Sequence, residues 1–165
     1  MITVLMATYQ GRQYLEQQLD TILAQTVPVK ILISDDGSDD GTREMLDNYA
    51  GWYPEQAVLH HRTEHTGGAA GNFFWLMQEA LKDEKNEYIL FSDQDDVWEN
   101  DKVSVMLHRM KVLEKGLGSA CPILLYSDME VVDEELYEIS PSFASYTHQD
   151  PDRSSFAEIL VEYNQ

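Results

Sequence analysis

The stretch KILISDDGSDDGTREMLDNYA, residues 30–50, joins a short apolar run to an acidic turn and then to a helical pattern. Its first five residues are rich in strand formers, and Met45, Leu46 and Tyr49 recur at the spacing of one helix face. A strand that leads directly into a helix predicts a crossover connection to a parallel strand. This unit therefore favours an α/β fold.

The same alternation continues on both sides of this stretch. Apolar runs predict further strands at Ile2–Ala7, Ala57–His61, Glu87–Phe91 and Ile123–Tyr126. Helical spacing predicts helices at Tyr14–Gln25, Thr42–Ala50, Gly71–Leu81 and Asp101–Glu114. Beyond these elements we expect a long loop at Ser140–Ser155 and the start of a helix at Phe156–Tyr163. The expected fold class is α/β, a Rossmann-like, mainly parallel sheet flanked by helices.

Length and composition limit the kind of protein. The 165 residues suit one domain, and 30 Asp and Glu against 11 Lys and Arg give a net charge of −19. Such a surface repels phosphate backbones, so we expect no nucleic-acid partner. Cys121 is the only cysteine, which is typical of a reducing compartment. With neither a membrane-length apolar run nor a signal-peptide pattern, we expect a cytoplasmic protein, and peripheral association with the inner face of the cell membrane stays open.

Aspartates follow the predicted strands at the points where those strands end. DDGSDDGT follows the second strand at residues 35–42, SDQDDVW follows the fourth at residues 92–98, and Asp128 follows the fifth. Carboxyl ends of parallel strands meet at one edge of the sheet, where such clustered carboxylates repel one another. We therefore expect a divalent cation, Mg²⁺ or Mn²⁺ first and Ca²⁺ as an alternative, with Asp93 and Asp95 as its ligands. A solvated turn with helix-capping aspartates is the alternative interpretation.

Other polar groups at the same edge are candidates for ligand binding. We expect Asp36, and less firmly Asp35, to accept hydrogen bonds from a nucleotide base or ribose, and Asp39 or Asp40 to cap the following helix. The glycine-rich segment at residues 65–72 either lets the backbone approach a nucleotide or forms a flexible loop. This segment lacks the lysine of a P-loop. The aspartates of residues 35–42 resemble a calcium-binding EF-hand loop, but an EF-hand loop follows a helix, whereas a strand is predicted before residue 35.

These motifs resemble those of the family-2 glycosyltransferases, which have a GT-A-type fold. VLMATYQG at residues 4–11, ILISDDGSDDGT at residues 31–42, GAAGNF at residues 68–73 and FSDQDDVW at residues 91–98 occur in the family's order and spacing. The first and last of them resemble most closely the bacterial rhamnosyltransferase-type branch. The resemblance extends from Ile2 to about Asp133.

The resemblance implies a donor, a metal and site residues. It implies that Thr8, Tyr9, Asp36 and Asn72 line a nucleotide site, and that Asp93 and Asp95 belong to the metal–diphosphate site, with Asp95 expected to bind the metal ion directly. The donor would be a dTDP- or UDP-sugar, and the acceptor a hydroxyl group of a saccharide or lipid-linked saccharide in bacterial surface polysaccharide synthesis.

The same resemblance implies transfer with inversion, in which a carboxylate deprotonates the acceptor and Mg²⁺ or Mn²⁺ stabilises the diphosphate leaving group. The family's base lies downstream of the matched region, so we expect the catalytic base beyond Gln165 and interpret residues 1–165 as a single nucleotide-sugar-binding domain without its acceptor half.

Three other functions compete with this one. A sugar nucleotidyltransferase usually has a Gly-, Lys- and Arg-rich loop after its first strand, whereas the loop here carries Arg12 alone. A phospho-receiver domain needs its acidic pair after the first strand and a lysine after the fifth. Here the acidic pair follows the second predicted strand, and no lysine follows the fifth. A non-catalytic sugar-nucleotide-binding module is the third alternative.

Overall fold

The computed structural model describes residues 1–62, 65, 67–118 and 121–148. Two compact units form within the chain, Met1–Gly116 and Leu117–Gln165. The first unit contains all the predicted site residues, and its architecture determines how they meet.

A four-stranded sheet is the centre of the first unit. Its strands are β1 (Ile2–Thr8), β2 (Lys30–Asp35), β3 (Ala57–His61) and β4 (Tyr88–Ser92). They lie in the order β3-β2-β1-β4, and every neighbouring pair is parallel. Thr8 is in register with Asp35, so β1 and β2 end side by side. The expected α/β class and parallel sheet are confirmed.

Both faces of the sheet are covered. The helices of this unit are α1 (Leu15–Leu23), α2 (Thr42–Trp52), α3 (Ala69–Ala80) and α4 (Lys102–Leu117). In β1, Val4 and Met6 belong to a core cluster that includes residues of α1 and α2, whereas Leu5 and Ala7 pack in a second cluster with Leu76 of α3. Successive strand side chains point to opposite faces, so a strand buried on both faces needs an unbroken apolar run.

The second unit differs from the sequence-based expectation. The predicted strand at Ile123–Tyr126 is wrong: these residues have no regular secondary structure, and Leu124 and Tyr126 are exposed. An apolar run becomes a strand only where a neighbouring strand pairs with it and buries it. The strands observed here are instead β5 (Val131–Val132) and β6 (Glu138–Ser140), which pair antiparallel.

The expected loop at Ser140–Ser155 contains a short helix, α5 (Phe143–Tyr146). Asp128 therefore does not end a strand. Its carboxylate accepts hydrogen bonds from the backbone N–H groups of Met129 and Ala144 at 2.9 and 3.1 Å, within its own unit. The predicted helix at Phe156–Tyr163 lies outside the described residues.

Candidate functional site

A cleft of about 560 Å³ opens beyond the carboxyl ends of β1, β2 and β4. Parallel α/β sheets bind ligands at this edge. The structure brings together the predicted residues that line it, namely Thr8, Tyr9, Asp36, Asn72, Asp93 and Asp95. Gly67, Gly68 and Ala69 also line the cleft, so the backbone of the glycine-rich segment borders it.

Asp35 is placed differently from Asp36. It does not line the cleft, and its side chain is fully buried. Its Oδ2 accepts hydrogen bonds from Arg43 Nε at 2.8 Å and from Ser38 N at 3.0 Å, while its Oδ1 accepts the Thr8 hydroxyl at 3.2 Å. Asp35 therefore holds the turn after β2 together, whereas its neighbour Asp36 faces the cleft.

The pKa of Asp35 reflects these contacts. Desolvation by burial opposes ionisation, but hydrogen bonds from Ser38, Arg43 and the backbone N–H groups of Ser38 and Gly37 outweigh it and lower the pKa. Asp35 is therefore a carboxylate at neutral pH, paired with the Arg43 guanidinium. Arg43 also donates to the carbonyl oxygen of Arg62 at 2.6 Å, which ties the same turn to the end of β3.

The two other aspartates of this turn were candidates for capping α2. Asp40 accepts the N–H of Thr42, the first residue of α2, at 3.0 Å, and it also accepts the N–H of Arg12 at 3.0 Å. Asp39 instead accepts the side-chain amide of Gln10 at 2.6 Å. The capping role thus belongs to Asp40, and Asp39 joins the turn to the loop after β1.

Asn72 lies in the first turn of α3 and is 2% exposed. Its Nδ2 donates to the carbonyl oxygen of Ser34 at 2.9 Å. Its Oδ1 has no hydrogen-bond partner within the described ranges. An unpaired buried acceptor is costly, and Asn72 is among the residues that line the cleft.

Asp93 and Asp95 line the cleft with carboxylates that accept no hydrogen bond from the described part of the chain. Desolvation raises the pKa of Asp93, and the negative charges of Asp96 and Asp95 raise it further. Neighbouring carboxylates that repel one another and lack donors have the oxygen chemistry that Mg²⁺ and Mn²⁺ bind.

A divalent cation fits this site only if a bound ligand supplies further oxygen atoms to its coordination shell. In the described ranges, no group of three or more His, Cys, Asp and Glu side chains is arranged to hold a metal ion. Mg²⁺ usually binds one or two protein carboxylates and completes its coordination with water and substrate phosphates. The donors present therefore suit a cation that enters together with a phosphate-bearing ligand.

Sequence reasoning missed Gln18, a residue of α1 that contacts the acidic loop, residues 93–101 between β4 and α4. Gln18 is fully buried and lies on the same side of α1 as Leu15 and Ile22. With its amide assigned from the hydrogen-bond network, it donates to the carbonyl oxygen of Asp96 at 2.6 Å and accepts the indole N–H of Trp98 at 3.2 Å. A polar residue at an apolar position of the helix pattern was the available signal.

Two more polar residues continue this contact, Thr21 of α1 and Gln25 just after the end of that helix. Thr21 accepts the N–H of Trp98 at 3.1 Å through its hydroxyl oxygen. Gln25 donates to the carbonyl oxygen of Glu99 at 2.7 Å and accepts the N–H of Val103 at 2.9 Å. Gln18 and Thr21 on α1, together with Gln25 just beyond its end, thus anchor this loop along its length.

His65 and Gln94 also line the cleft; they belong to the glycine-rich segment and to SDQDDVW, but neither was itself predicted as a site residue. The imidazole Nδ1 of His65 lies 3.9 Å from Oδ2 of Asp36, and its ring meets the Tyr9 ring edge-on at 6.1 Å between centroids. Gln94 contacts the backbone of Tyr9. Both residues border the pocket on its Tyr9 side.

In the described part of the chain, no helix has the length and apolarity needed to cross a lipid bilayer. The predicted cytoplasmic location and membrane association stay predictions.

A dTDP-rhamnosyl transferase RfbG of Shigella flexneri is 39% identical over 99 residues, which are 59% of this chain and 34% of that protein. The chain thus spans about a third of the length of this relative.

Solved structures share the fold. Staphylococcus aureus TarS 1–349 superposes with a TM-score of 0.55 at 16% identity, over 79% of this chain and 41% of that one. The mannosyltransferase PcManGT of Pyrobaculum calidifontis, in complex with GDP-Man and Mn²⁺, has a TM-score of 0.53 at 26% identity, over 64% of this chain and 31% of that one. The expected GT-A-type fold is confirmed. Residues 3–157 match the model of glycosyl transferase family 2, and the chain therefore belongs to that family.

Proposed function

We propose that this chain is the sugar-nucleotide-binding part of an inverting glycosyltransferase, which transfers a sugar from a nucleoside-diphosphate sugar to an acceptor hydroxyl group. One observation carries the proposal: Asp36, Asp93 and Asp95 line the cleft, and no lysine or arginine is among its described lining residues. A nucleoside diphosphate is an anion and would be repelled there without a cation. A divalent metal ion between carboxylates and diphosphate removes the repulsion.

The nucleoside would occupy the side of the cleft formed by β1, β2 and α3. Tyr9 is 53% exposed and offers an aromatic face to a base. Asp36 is acceptor-only when ionised, and Asn72 Oδ1 is also an acceptor, so this side suits the N–H and O–H donors of a base or ribose. Thr8 ends β1 beside them, and Asp35 supports the turn from below.

Asp93 and Asp95 would hold Mg²⁺ or Mn²⁺ at the diphosphate end. When bound, the cation would stabilise the negative charge that develops on the diphosphate leaving group. The presence of Mn²⁺ in PcManGT, a protein of the same fold, supports a divalent ion. Gln18, Thr21 and Gln25 would keep the loop that carries these aspartates in place.

The donor proposed first is a dTDP- or UDP-sugar, with rhamnose as the first sugar to test. The name of RfbG, a dTDP-rhamnosyl transferase, supports this choice. The acceptor would be a saccharide or a lipid-linked saccharide in bacterial surface polysaccharide synthesis. We place the catalytic base and the acceptor site beyond Gln165, because the relative is about three times as long as its matched part. Residues 1–165 would then act as the donor-binding domain, in the cytoplasm.

A thermal-shift panel tests the proposal. UDP-, GDP- and dTDP-sugars, and the corresponding nucleoside triphosphates, are each added with and without Mn²⁺, and with Mg²⁺ as a second ion. Binding at a hundred times Kd stabilises the folded state by about 2.7 kcal/mol, or roughly 5–10 °C for a chain of this size. We expect one nucleoside class to give a metal-dependent shift of this order. If no nucleotide shifts the midpoint under any condition, the proposal is wrong; a larger shift with a nucleoside triphosphate would favour a nucleotidyltransferase.

A further inference from the structure

The side chain of Gln94 forms a clamp on the backbone of Tyr9. Its Oε1 accepts the N–H of Tyr9 at 2.9 Å, and its Nε2 donates to the carbonyl oxygen of Tyr9, also at 2.9 Å. The backbone N–H and C=O of Tyr9 are thus both paired with the side-chain amide of Gln94, as two backbones pair in the hydrogen-bonded pairs of an antiparallel sheet. Gln94 belongs to the acidic loop after β4, and Tyr9 to the loop after β1.

Gly11 provides the space for this clamp. A Cβ atom at Gly11 would lie 2.3 Å from Oε1 and 2.5 Å from Cδ of Gln94, which no side chain could occupy with Gln94 in place. Gly11 is itself fixed, because its N–H donates to the Thr42 hydroxyl at 2.9 Å. Its φ lies outside the left-handed region, so the backbone conformation alone would tolerate alanine. The glycine is required by the approach of Gln94.

The clamp joins the two ends of the proposed donor site. Gln94 lies between Asp93 and Asp95 in sequence, and all three line the cleft with Tyr9. We infer that Gln94 is a positioning residue that couples the nucleoside-binding loop to the metal-binding loop, so that base and metal–diphosphate are bound together. This inference rests on the proposed function, because it assigns Tyr9 to the nucleoside and Asp93 and Asp95 to the metal ion.

The loop does not need Gln94 in order to fold. Gln18 and Thr21 of α1 hold its other side through Asp96 and Trp98. The clamp itself is exposed to solvent, so water can replace its hydrogen bonds in the ligand-free protein. Its contribution should therefore be small for folding and larger for binding, where a prearranged site loses less freedom.

Substitution of Gln94 tests the inference in the 165-residue chain. Titration calorimetry with dTDP and, separately, UDP in the presence of Mn²⁺ measures affinity for wild type, Gln94→Met and Gln94→Ala. We expect roughly tenfold weaker binding, equal to about 1.4 kcal/mol, which is within the range of two exposed hydrogen bonds. The unfolding midpoint without ligand should stay within about 2 °C of wild type, a shift worth less than 1 kcal/mol. Gln78→Met, at an exposed glutamine of α3, is the matched control and should bind as wild type does.

Gly11→Ala reaches the same contact by a second route. Because the added methyl group displaces the amide of Gln94, this variant should bind the nucleotide about as weakly as Gln94→Ala. In the double variant Gly11→Ala/Gln94→Ala there is no amide left to displace, so no further loss is expected. If Gly11 were needed only for the turn, Gly11→Ala would instead weaken nucleotide binding equally in the wild-type protein and in Gln94→Ala.

A measurement without ligand completes the test. Amide hydrogen exchange should be faster at the Tyr9 N–H in Gln94→Met than in wild type, with exchange in β1 unchanged. Unchanged exchange at Tyr9, or wild-type nucleotide affinity in Gln94→Met, would overturn the inference while leaving the proposed function standing. A wild-type chain that binds neither nucleotide with Mn²⁺ nor any other in the panel would overturn the proposed function itself, and this inference with it.

Discussion

Arg43 Nε lies 2.8 Å from Oδ2 of Asp35, and the Asp35 side chain is fully buried while that of Arg43 is 39% exposed. An aspartate buried next to a single charged partner carries a large desolvation cost, which is recovered here by additional donors from Ser38 and Gly37. The pair stabilises the turn that places Asp36 in the cleft. Its contribution depends on pH and on the charge of Asp35.

Acid should weaken the fold through Asp35. Its folded-state pKa is lowered, so its contribution is complete above the unfolded value near 3.9 and is lost as pH falls through the folded value. Asp35→Asn should cost about 1–3 kcal/mol at pH 7, because donors lose their ionised acceptor. The variant should lose less stability than wild type between pH 4 and pH 2. Urea unfolding at pH 7, 4, 3 and 2 measures this, with the exposed Asp101→Asn as control; parallel pH profiles for wild type and Asp35→Asn would contradict the assignment.

Gln18 gives a prediction about the acidic loop. Gln18→Leu fits the apolar surroundings but leaves the carbonyl oxygen of Asp96 and the indole N–H of Trp98 without this partner. We expect a loss of about 1–3 kcal/mol in the free energy of unfolding. We also expect weaker metal-dependent nucleotide binding, because the loop that carries Asp93 is less ordered. Gln17→Leu, at the exposed neighbouring position, should change neither quantity; equal effects of the two substitutions would show that the buried contacts do not matter.

Most of the first unit can be predicted from the sequence because its strands and helices produce local patterns of apolar residues. Strands buried on both faces need nearly continuous apolar runs, and Ile2–Ala7, interrupted only by Thr3, is one of them. The position of Asp93 and Asp95 in the cleft follows from the same reasoning, because parallel strands end at a common edge. The ends of the predicted elements of this unit differ from the observed ones by at most three residues, and β3 was predicted with its observed bounds.

What the sequence could not predict depends on contacts between distant residues. Asp35 and Asp36 are adjacent and chemically identical, yet only the turn geometry and Arg43 decide that Asp35 is buried and Asp36 faces the cleft. The role of Gln94 depends on its hydrogen bonds to Tyr9, which is 85 residues away in the sequence, and nothing in the local sequence indicates this contact. The wrong strand at Ile123–Tyr126 has the same origin, since an apolar run does not reveal whether a partner strand exists.

Asp93 should favour metal-dependent nucleotide binding but lower the stability of the metal-free folded protein. Desolvation and the nearby charges of Asp96 and Asp95 raise its pKa, so its ionised form is unfavourable in the metal-free protein. Asp93→Asn should therefore unfold at the same or a higher temperature than wild type at pH 7, by up to about 4 °C, since single exposed charge pairs contribute roughly 0.2–1 kcal/mol. The variant should lose most of its Mn²⁺-dependent stabilisation by nucleotide. Scanning calorimetry with and without Mn²⁺ and nucleotide separates the two effects, and a lower midpoint in the metal-free state would show that Asp93 supports the fold.

Substitutions of Asp95 and Asp36 should have different effects, because we propose that Asp95 binds the metal ion and Asp36 the nucleoside. The quantity to compare is the ratio of nucleotide affinity with Mn²⁺ to that without it. Asp95→Asn should bring this ratio close to one, since it removes a cation ligand, and should change metal-free affinity little. Asp36→Ala should weaken binding roughly 10- to 100-fold under both conditions, the loss of a charged hydrogen bond, and leave the ratio unchanged. Asp36→Asn, which keeps the side-chain volume, guards against a folding defect at this buried position. If Asp36→Ala lowers the ratio as much as Asp95→Asn does, Asp36 belongs to the metal site and the division of the cleft into a nucleoside end and a metal end is wrong.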